Sequence, residues 1–238
     1  MIRLDDVTFR HEDMRMRFDA EFPAASLTAV IGPSGGGKST LLNLIAGFEM
    51  PESGRVLIGG RDVTALPPDQ RPVSMIFQDN NVFAHLDLWQ NVALGISPSL
   101  KPDAEQRSRV DAALTEVGLG ALMHRKPGEV SGGERQRVAV ARALVRDRPA
   151  LLLDEPFAAL GPAMRKDMLE LVKTMQRSRK LTVVMVTHQP EDALTAATHT
   201  AYLESGRVLA LRPTAELFAA RDLPGLRAYL GDWRSSGL

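Results

Sequence analysis

One glycine-rich segment constrains the fold of this chain more than any other feature. Residues 32–40 read Gly-Pro-Ser-Gly-Gly-Gly-Lys-Ser-Thr and match the pattern G-x-x-x-x-G-K-[ST] at every fixed position. The apolar residues 27–31 before it predict a buried strand, and the leucines and isoleucine after it are spaced as on one face of a helix that Gly47 can end. A flexible glycine loop is the alternative, but the strand, loop and helix in this order favour a phosphate-binding loop in an α/β fold.

The residue types of this loop predict how it binds its ligand. Backbone N–H groups of the glycines would surround phosphate oxygens, Lys38 would reach the β- and γ-phosphates, and the Ser39 hydroxyl would coordinate Mg²⁺. The predicted contacts are Gly32, Pro33, Ser34, Gly35, Gly36, Gly37, Lys38, Ser39 and Thr40.

A second candidate phosphate site lies at the start of a helix. Ser131 is a suitable N-cap, Gly132 and Gly133 would expose their backbone N–H groups, and Glu134 opens a helical pattern that continues to Leu144. Alone, this segment would indicate only a capped surface helix after a glycine turn. In company with the first loop, we interpret it as a second phosphate site.

Polar residues follow three apolar runs that predict strands, and α/β folds place ligands at such strand ends. Asp154 would enter the Mg²⁺ shell, which leaves Glu155 free to polarise a water molecule as general base. His188 could contact the γ-phosphate or that water, and the amide of Gln78 could bind the metal or the water. A lone His or Gln would usually be a surface residue or a hydrogen-bonded polar residue, but here the neighbouring motifs favour a role in the nucleotide site.

Composition sets the outer limits. The chain has 238 residues with Lys+Arg and Asp+Glu equal at 29 each, so no overall basic charge favours nucleic acid. No cysteine is present, which excludes a disulfide framework and a thiolate metal site. We expect no signal peptide and no membrane-spanning segment, because no apolar run approaches about eighteen residues.

The remaining pattern predicts one domain of two lobes. Alternation over residues 14–22 predicts an antiparallel strand near the N-terminus, and Asp103 would begin a helix. Met164, Met168, Leu171 and Met175 would mark the buried face of a helix between two parallel strands. We predict a helical lobe over residues 79–145, with residues 1–78 and 146–238 forming the sheet-containing lobe.

Five features resemble the ATPase domain of ABC transporters in order and spacing, and the resemblance covers nearly the whole chain. They are the loop, Gln78, residues 131–137 (the signature segment), Asp154 with Glu155, and His188. The resemblance implies a P-loop NTPase with a RecA-like core, an N-terminal antiparallel β subdomain and a helical subdomain. It also implies ATP and Mg²⁺ as ligands, and a head-to-tail homodimer in which Ser131, Gly133 and Glu134 of one subunit close over ATP of the other.

Three positions depart from the usual pattern of that family. Glu134 stands where many members have Gln, which adds charge close to a phosphate. The residue expected to stack on adenine is usually Tyr and here is His11, with Phe9 as the neighbouring candidate. Gly161 replaces an Asp that usually communicates across the dimer.

Residues 67–86 most closely resemble the ATPase subunits of bacterial thiamine importers, down to the pair Asn80 and Asn81. The resemblance implies import of thiamine or its phosphates through a separate permease, fed by a periplasmic or extracellular solute-binding protein, at the cytoplasmic face of the bacterial inner membrane. The short chain agrees, since importers for sugars, sulfate or polyamines usually append a regulatory domain. Amino-acid importers are short too, so another small solute is the alternative.

The permease would dock between Asp79 and Gly95, where we expect Phe83, Leu86 and Trp89 to be partly exposed. Two other functions are weighed against transport. An ABC ATPase acting on DNA or ribosomes would usually show a coiled-coil insertion, a zinc motif or tandem cassettes, and none is present. A non-hydrolysing nucleotide switch is suggested by Gly161, but Glu155 and His188 argue against it.

Overall fold

The computed structural model describes residues 1–11, 14–78 and 82–231. The strands are β1 (Ile2–His11), β2 (Met14–Phe22), β3 (Leu27–Ile31), β4 (Ser53–Ile58), β5 (Arg61–Asp62), β6 (Val73–Ile76), β7 (Ala150–Asp154), β8 (Thr182–Val186), β9 (His199–Glu204) and β10 (Arg207–Pro213). The helices are α1 (Lys38–Ala46), α2 (Leu88–Ala93), α3 (Ala104–Glu116), α4 (Gly132–Leu144), α5 (Pro162–Arg179), α6 (Pro190–Ala196), α7 (Thr214–Ala219) and α8 (Pro224–Leu230).

The strands form two sheets. The smaller is antiparallel in the order β2-β1-β4-β5, and the larger has the order β10-β9-β3-β8-β7-β6. In the larger sheet every pairing from β9 to β6 is parallel, so the carboxyl ends of β3, β8, β7 and β6 lie at one edge. This topology confirms the predicted α/β fold with an N-terminal antiparallel part, and it gathers the polar strand ends at that edge.

The N-terminal alternation produces the predicted half-buried strand. In β2 the side chains of Met16, Phe18 and Phe22 are buried, whereas the arginines and acidic residues between them face solvent. Met14, which the same alternation would bury, is 36% exposed at the end of the strand. It lies instead in the cleft described below.

The helices between β6 and β7 share a core with the larger sheet. Val110 and Leu114 of α3 belong to one apolar cluster with Leu153 of β7 and Met168 of α5. Asp103 begins α3 as predicted, because its side chain accepts a hydrogen bond from the Gln106 N–H at 2.8 Å. The boundaries of the two lobes stay a prediction, and residues 79–81 lie outside the described residues.

Helix α5 departs from the predicted pattern at its first turn. Met168 and Met175 are buried and Leu171 is partly buried, but Met164 is 38% exposed. The reason is a tertiary contact, since Met164 extends towards the start of α4 and covers Gly133. In the described part of the chain, no helix is long and apolar enough to cross a membrane.

Arg71 fixes the far end of α1, the helix that follows the glycine-rich loop. It is fully buried, and its guanidinium donates to the carbonyl oxygens of Leu44 at 2.6 Å and Ile45 at 3.0 Å. Further donations reach the carbonyls of Leu66 and Thr64. A positive charge at the carboxyl end of a helix is electrostatically favourable, so Arg71 stabilises the helix that presents the loop.

Candidate active site

The glycine-rich loop joins β3 to α1 in a conformation that depends on glycine at two places. Gly37, the N-cap of α1, has φ 104°, and a Cβ on Gly32 would lie 1.9 Å from the Leu203 carbonyl oxygen. No side chain of the described residues caps α1, and its first turn holds no acidic residue. The backbone N–H groups at this helix start are therefore left for an anion.

An open cleft of about 610 Å³ lies over the loop. It brings together most of the predicted loop contacts, the predicted base and the predicted adenine-stacking residue. Its lining is His11, Met14, Met16, Ser34, Gly35, Gly37, Lys38, Ser39, Thr40 and Glu155.

Lys38 is held inside the loop. Its Nζ donates to the carbonyl oxygens of Gly32 and Pro33, both at 2.8 Å, and the residue is buried. Burial lowers the pKa of the Lys38 ammonium, while the nearby carboxylates of Glu155 and Asp154 act in the opposite direction. No carboxylate of the described residues pairs directly with this buried ammonium, which is therefore suited to an anionic ligand.

Two oxygen atoms at the floor of the site are spaced for a shared cation. The Ser39 Oγ donates to Asp154 Oδ1 at 3.2 Å, close to the separation of about 3 Å expected between neighbouring oxygens of an octahedral Mg²⁺. Burial raises the pKa of Asp154, and the hydrogen bond from Ser39 opposes that rise. The described residues contain no group of three or more His, Cys, Asp or Glu arranged for a metal. Ser39 and Asp154 thus fit a Mg²⁺ that takes its other oxygens from phosphate and water.

Glu155 and His188 form a pair at the edge where β7 and β8 end. Glu155 Oε2 lies 3.0 Å from His188 Nδ1, and both side chains are partly exposed to the solvent. Glu155 has a left-handed backbone with φ 44°, an uncommon conformation for this residue type that is found at functional sites. The backbone N–H of Glu155 donates to the Val186 carbonyl oxygen at 3.1 Å, which fixes the predicted base beside β8, the strand that leads to His188.

Gln78 is exposed and lies two residues beyond β6, in which Ile76 pairs with Leu153 of β7. This register places Gln78 at the same edge as Asp154 and Glu155. Within the described part of the chain, no hydrogen bond joins it to Ser39 or Asp154, so its role as a ligand of metal or water stays a prediction.

The two candidates for adenine stacking have different surroundings. His11, at the end of β1, lines the cleft, whereas Phe9 is partly buried against the apolar cluster of the sheets. His11 thus lies at the cleft, where its base-stacking role stays a prediction, while Phe9 packs against the core. Sequence reasoning missed Met14 and Met16 at the same cleft, because alternation in β2 indicates a buried face but not what that face covers.

The signature segment lies outside this cleft and differs from expectation. Ser131 Oγ accepts from the Glu134 N–H at 3.3 Å, and Glu134 Oε2 accepts from the Ser131 N–H at 2.6 Å, which makes a capping box. The prediction that both glycines expose their backbone is wrong for Gly133, which is buried. A Cβ on Gly133 would lie 2.5 Å from Met164 Sδ.

Comparisons with known proteins agree with this geometry. The family described as "ABC transporter" matches residues 16–158. The "Thiamine import ATP-binding protein ThiQ" of Mesorhizobium japonicum is 55% identical, covering 97% of this chain and 91% of the relative. The protein of the same name from Salmonella paratyphi A is 48% identical, covering 97% of this chain and all of the relative.

Solved structures show the same fold. The ADP conformation of the ATP-binding cassette MJ1267 superposes with a TM-score of 0.88 at 24% identity, over 97% of this chain and 98% of that one. The dimeric post-hydrolysis structure of the ATP-binding cassette MJ0796, bound to ADP and Pi, has a TM-score of 0.75 at 29% identity, over 90% of this chain and 99% of that one. By sequence and by fold, the chain belongs to the ABC transporter family.

Proposed function

We propose that this chain hydrolyses ATP to drive import of thiamine or its phosphates through a separate membrane permease. The observation that carries the hydrolytic part is the contact of 3.0 Å between Glu155 and His188 beside the glycine-rich loop. The solute is proposed because relatives that are about half identical over nearly the whole chain are thiamine import ATP-binding proteins.

Each residue of the site has a chemical task in this proposal. Lys38 and the loop N–H groups bind and neutralise the β- and γ-phosphates, while Ser39, Asp154 and Gln78 hold Mg²⁺. When bound, Mg²⁺ supplies positive charge that stabilises the transferring phosphoryl group. Glu155 accepts the proton of the attacking water. His188 either donates from Nδ1 to orient Glu155 or, in its other tautomer, donates from Nε2 towards the γ-phosphate.

The signature segment is proposed to act in a second copy of the chain. Ser131, Gly133 and Glu134 do not line the cleft of their own subunit, so within one chain they do not reach the loop. The related cassette MJ0796 has been solved as a dimer bound to ADP and Pi. A head-to-tail homodimer would bring the start of α4 to the phosphates held by the partner's loop.

The permease is proposed to dock in a groove of about 200 Å³ beside β6, which Phe77, Leu94 and Arg142 help to line. Phe83 is 45% exposed, and the Arg142 guanidinium lies 5.5 Å from its ring centroid. Phe48 is also exposed and lies 5.6 Å from the Phe77 ring. An exposed apolar patch of this kind suits a short helix of a membrane protein.

The predicted docking residues do not share one environment. Phe83 is exposed, Leu86 is half-buried, and Trp89 packs against the core while its Nε1 donates to Asp111 at 2.6 Å. Asp79, Asn80 and Asn81 lie outside the described residues.

Because Phe83 is exposed, Phe83→Asp should reduce co-purification with the permease by about tenfold or more, since it places a charge at an interface anchor. The ATPase rate of the isolated chain should stay unchanged.

Trp89→Asp serves as the contrast, because it should lower the melting temperature by leaving a core contact and a hydrogen bond unmade. Retained permease binding by Phe83→Asp would contradict the docking site.

The solute can be tested by reconstituting the chain with its permease and solute-binding protein in vesicles. Thiamine or a thiamine phosphate should raise the rate of ATP hydrolysis and accumulate in the lumen. Stimulation by an amino acid instead would support the alternative importer, and binding of ATP without turnover would support the nucleotide switch. The complex would place this chain at the cytoplasmic face of the inner membrane, with no nucleic acid as a partner.

A further inference from the structure

Helix α8, far from the motifs in sequence, packs beneath the active-site edge. Its Leu226 and Leu230 are buried in an apolar cluster with Ala29 and Ile31 of β3, the strand that leads into the glycine-rich loop. The helix is thus fixed to the segment that presents the loop, by contacts that neither phosphate-binding motif provides.

Tyr229 of α8 touches two parts of the proposed ATPase site. Its hydroxyl donates to the His188 carbonyl oxygen at 3.2 Å. The phenol oxygen of Tyr229 in turn accepts a hydrogen bond from the backbone N–H of Gly32, the first residue of the loop. Burial raises the pKa of Tyr229, and the bond from Gly32 opposes that rise. The phenol is therefore a neutral bridge between the loop and the histidine near neutral pH.

The ring of Tyr229 is held so that the bridge has little freedom. It is half-buried, and its centroid lies 6.2 Å from that of the fully buried Tyr202. Gly32 cannot shift easily either, since a Cβ there would lie 1.9 Å from the Leu203 carbonyl oxygen. The ring of Tyr229 and the Gly32 end of the bridge are therefore packed against the core.

The bridge spans the separation between the glycine-rich loop and His188, on which the proposed hydrolysis depends. Strands β3 and β8 are parallel neighbours, and the loop and His188 extend from the same end of each. The last backbone hydrogen bond between them runs from the Thr187 N–H to the Val30 carbonyl oxygen at 3.2 Å, and among the described residues none joins His188 to the loop itself. His188 Nδ1 lies 3.0 Å from Glu155 Oε2. Displacement of the His188 backbone would therefore move the two residues that are proposed to activate the attacking water.

We propose that Tyr229 is a positioning residue for ATP hydrolysis, which holds His188 in register with the phosphate-binding loop. This inference rests on the proposed ATPase function. Loss of one such hydrogen bond corresponds to about 1 kcal/mol, or about fivefold in rate. Since the phosphate contacts of Lys38 and Ser39 are untouched, the loss should fall on kcat rather than on the KM for ATP.

The test compares Tyr229→Phe with Tyr202→Phe in the full chain. Tyr229→Phe removes only the bridging hydroxyl and should lower kcat about fivefold, with the KM for ATP unchanged and the melting temperature lowered by no more than a few degrees. Tyr202→Phe removes the hydroxyl of the neighbouring ring, which touches neither Gly32 nor His188, and should keep the wild-type kcat. Equal kcat values for Tyr229→Phe and wild type, or an equal loss in both variants, would overturn the inference.

A double-mutant cycle with His188→Ala distinguishes positioning of His188 from a general effect. In single-turnover measurements, adding Tyr229→Phe to His188→Ala should change the residual rate by less than about twofold, because the bridged residue has lost its function. A further fivefold loss would show that Tyr229 does not act through His188. An inactive wild-type protein would instead refute the proposed ATPase function, a result distinct from either outcome for Tyr229.

Discussion

Helices α1 and α4 both begin with glycine-rich segments that predict phosphate binding, yet their first turns are built in opposite ways. At α1 the N-cap is Gly37, no side chain in the described part of the chain caps the helix, and Lys38 provides positive charge. At α4 the N-cap is Ser131, the first turn holds Glu134, and the two form a capping box. One helix start leaves its N–H donors for a ligand, and the other already uses part of them.

The two helix starts therefore differ in how we expect them to bind phosphate. A phosphate at α1 meets free donors and an ammonium, so one subunit suffices for the contact. A phosphate at α4 meets a carboxylate that occupies the same region, so its approach competes with a bond already made. The signature segment is thus capped without nucleotide, and the phosphate contact that we propose for it would depend on what a partner subunit delivers.

The largest expected effect tests the open helix start. Lys38→Ala should weaken ATP binding and lower turnover by about a hundredfold or more, because the β- and γ-phosphates lose their main side-chain cation. The carbonyls of Gly32 and Pro33 also lose their donor, so the melting temperature should be followed alongside nucleotide affinity. Undiminished turnover would contradict the assignment of this loop.

The next effect separates chemistry from binding at α1. Glu155→Gln should bind ATP normally but hydrolyse it more slowly by about a hundredfold or more, because the general base is lost. ATP should then hold two subunits together for longer, visible as a dimer in size-exclusion chromatography while the wild type reverts to monomer.

Glu170→Gln neutralises an exposed carboxylate on α5 and is the control, expected to turn over at the wild-type rate. A wild-type rate in Glu155→Gln would make His188 the leading candidate for the base.

The contrast between the two helix starts also shows which features of the fold can be predicted from the sequence alone. The glycine-rich loop, the strands around it and the helix begun by Asp103 are local patterns, and all were predictable. The capping box of α4 was readable too, since Glu134 stands three residues after Ser131. The two glycines between them indicate phosphate binding instead, so the sequence of this segment favours two different interpretations.

What the sequence could not predict depends on tertiary contacts. Met164 covers Gly133 because α5 crosses the start of α4, and no periodicity within α5 contains that information. Tyr229 reaches His188 and Gly32 only because α8 packs on β3 in one particular register. Such residues are distant in the chain from every motif, so only the packed fold identifies them.

A smaller effect is expected at the capped helix start. Glu134→Gln keeps an acceptor for the Ser131 N–H but removes the negative charge, so ATP-dependent dimerisation should strengthen by about two- to fivefold, the scale of one charge at a helix end. The bond from Ser131 lowers the pKa of Glu134, so the wild-type carboxylate is ionised near neutral pH.

Glu129→Gln offers a matched control, because Glu129 caps a neighbouring turn in the same way, with Oε2 accepting from the Lys126 N–H at 2.6 Å. Tighter dimers in both variants would show a general charge effect rather than one at the signature segment.

The smallest expected effect is at a third helix start, that of α5, where Gly161 is an N-cap without a side chain. Gly161→Asp is sterically free, since the φ of Gly161 is −66° and a Cβ there meets no atom of the described residues within 4 Å. The new carboxylate should cap α5 and raise the free energy of unfolding by a few tenths of a kcal/mol, about the difference between Gly and Asp at this position.

It should also raise the ATPase rate or its Hill coefficient, because it restores an acceptor that the family uses across the dimer. Gly161→Asn caps the helix equally well without the charge, so a kinetic gain confined to Gly161→Asp would identify a charged contact between subunits. Equal rates and Hill coefficients for Gly161→Asp and wild type would mean that the substitution only caps α5. Helix α5 would then resemble α4, whose first turn is used for stability.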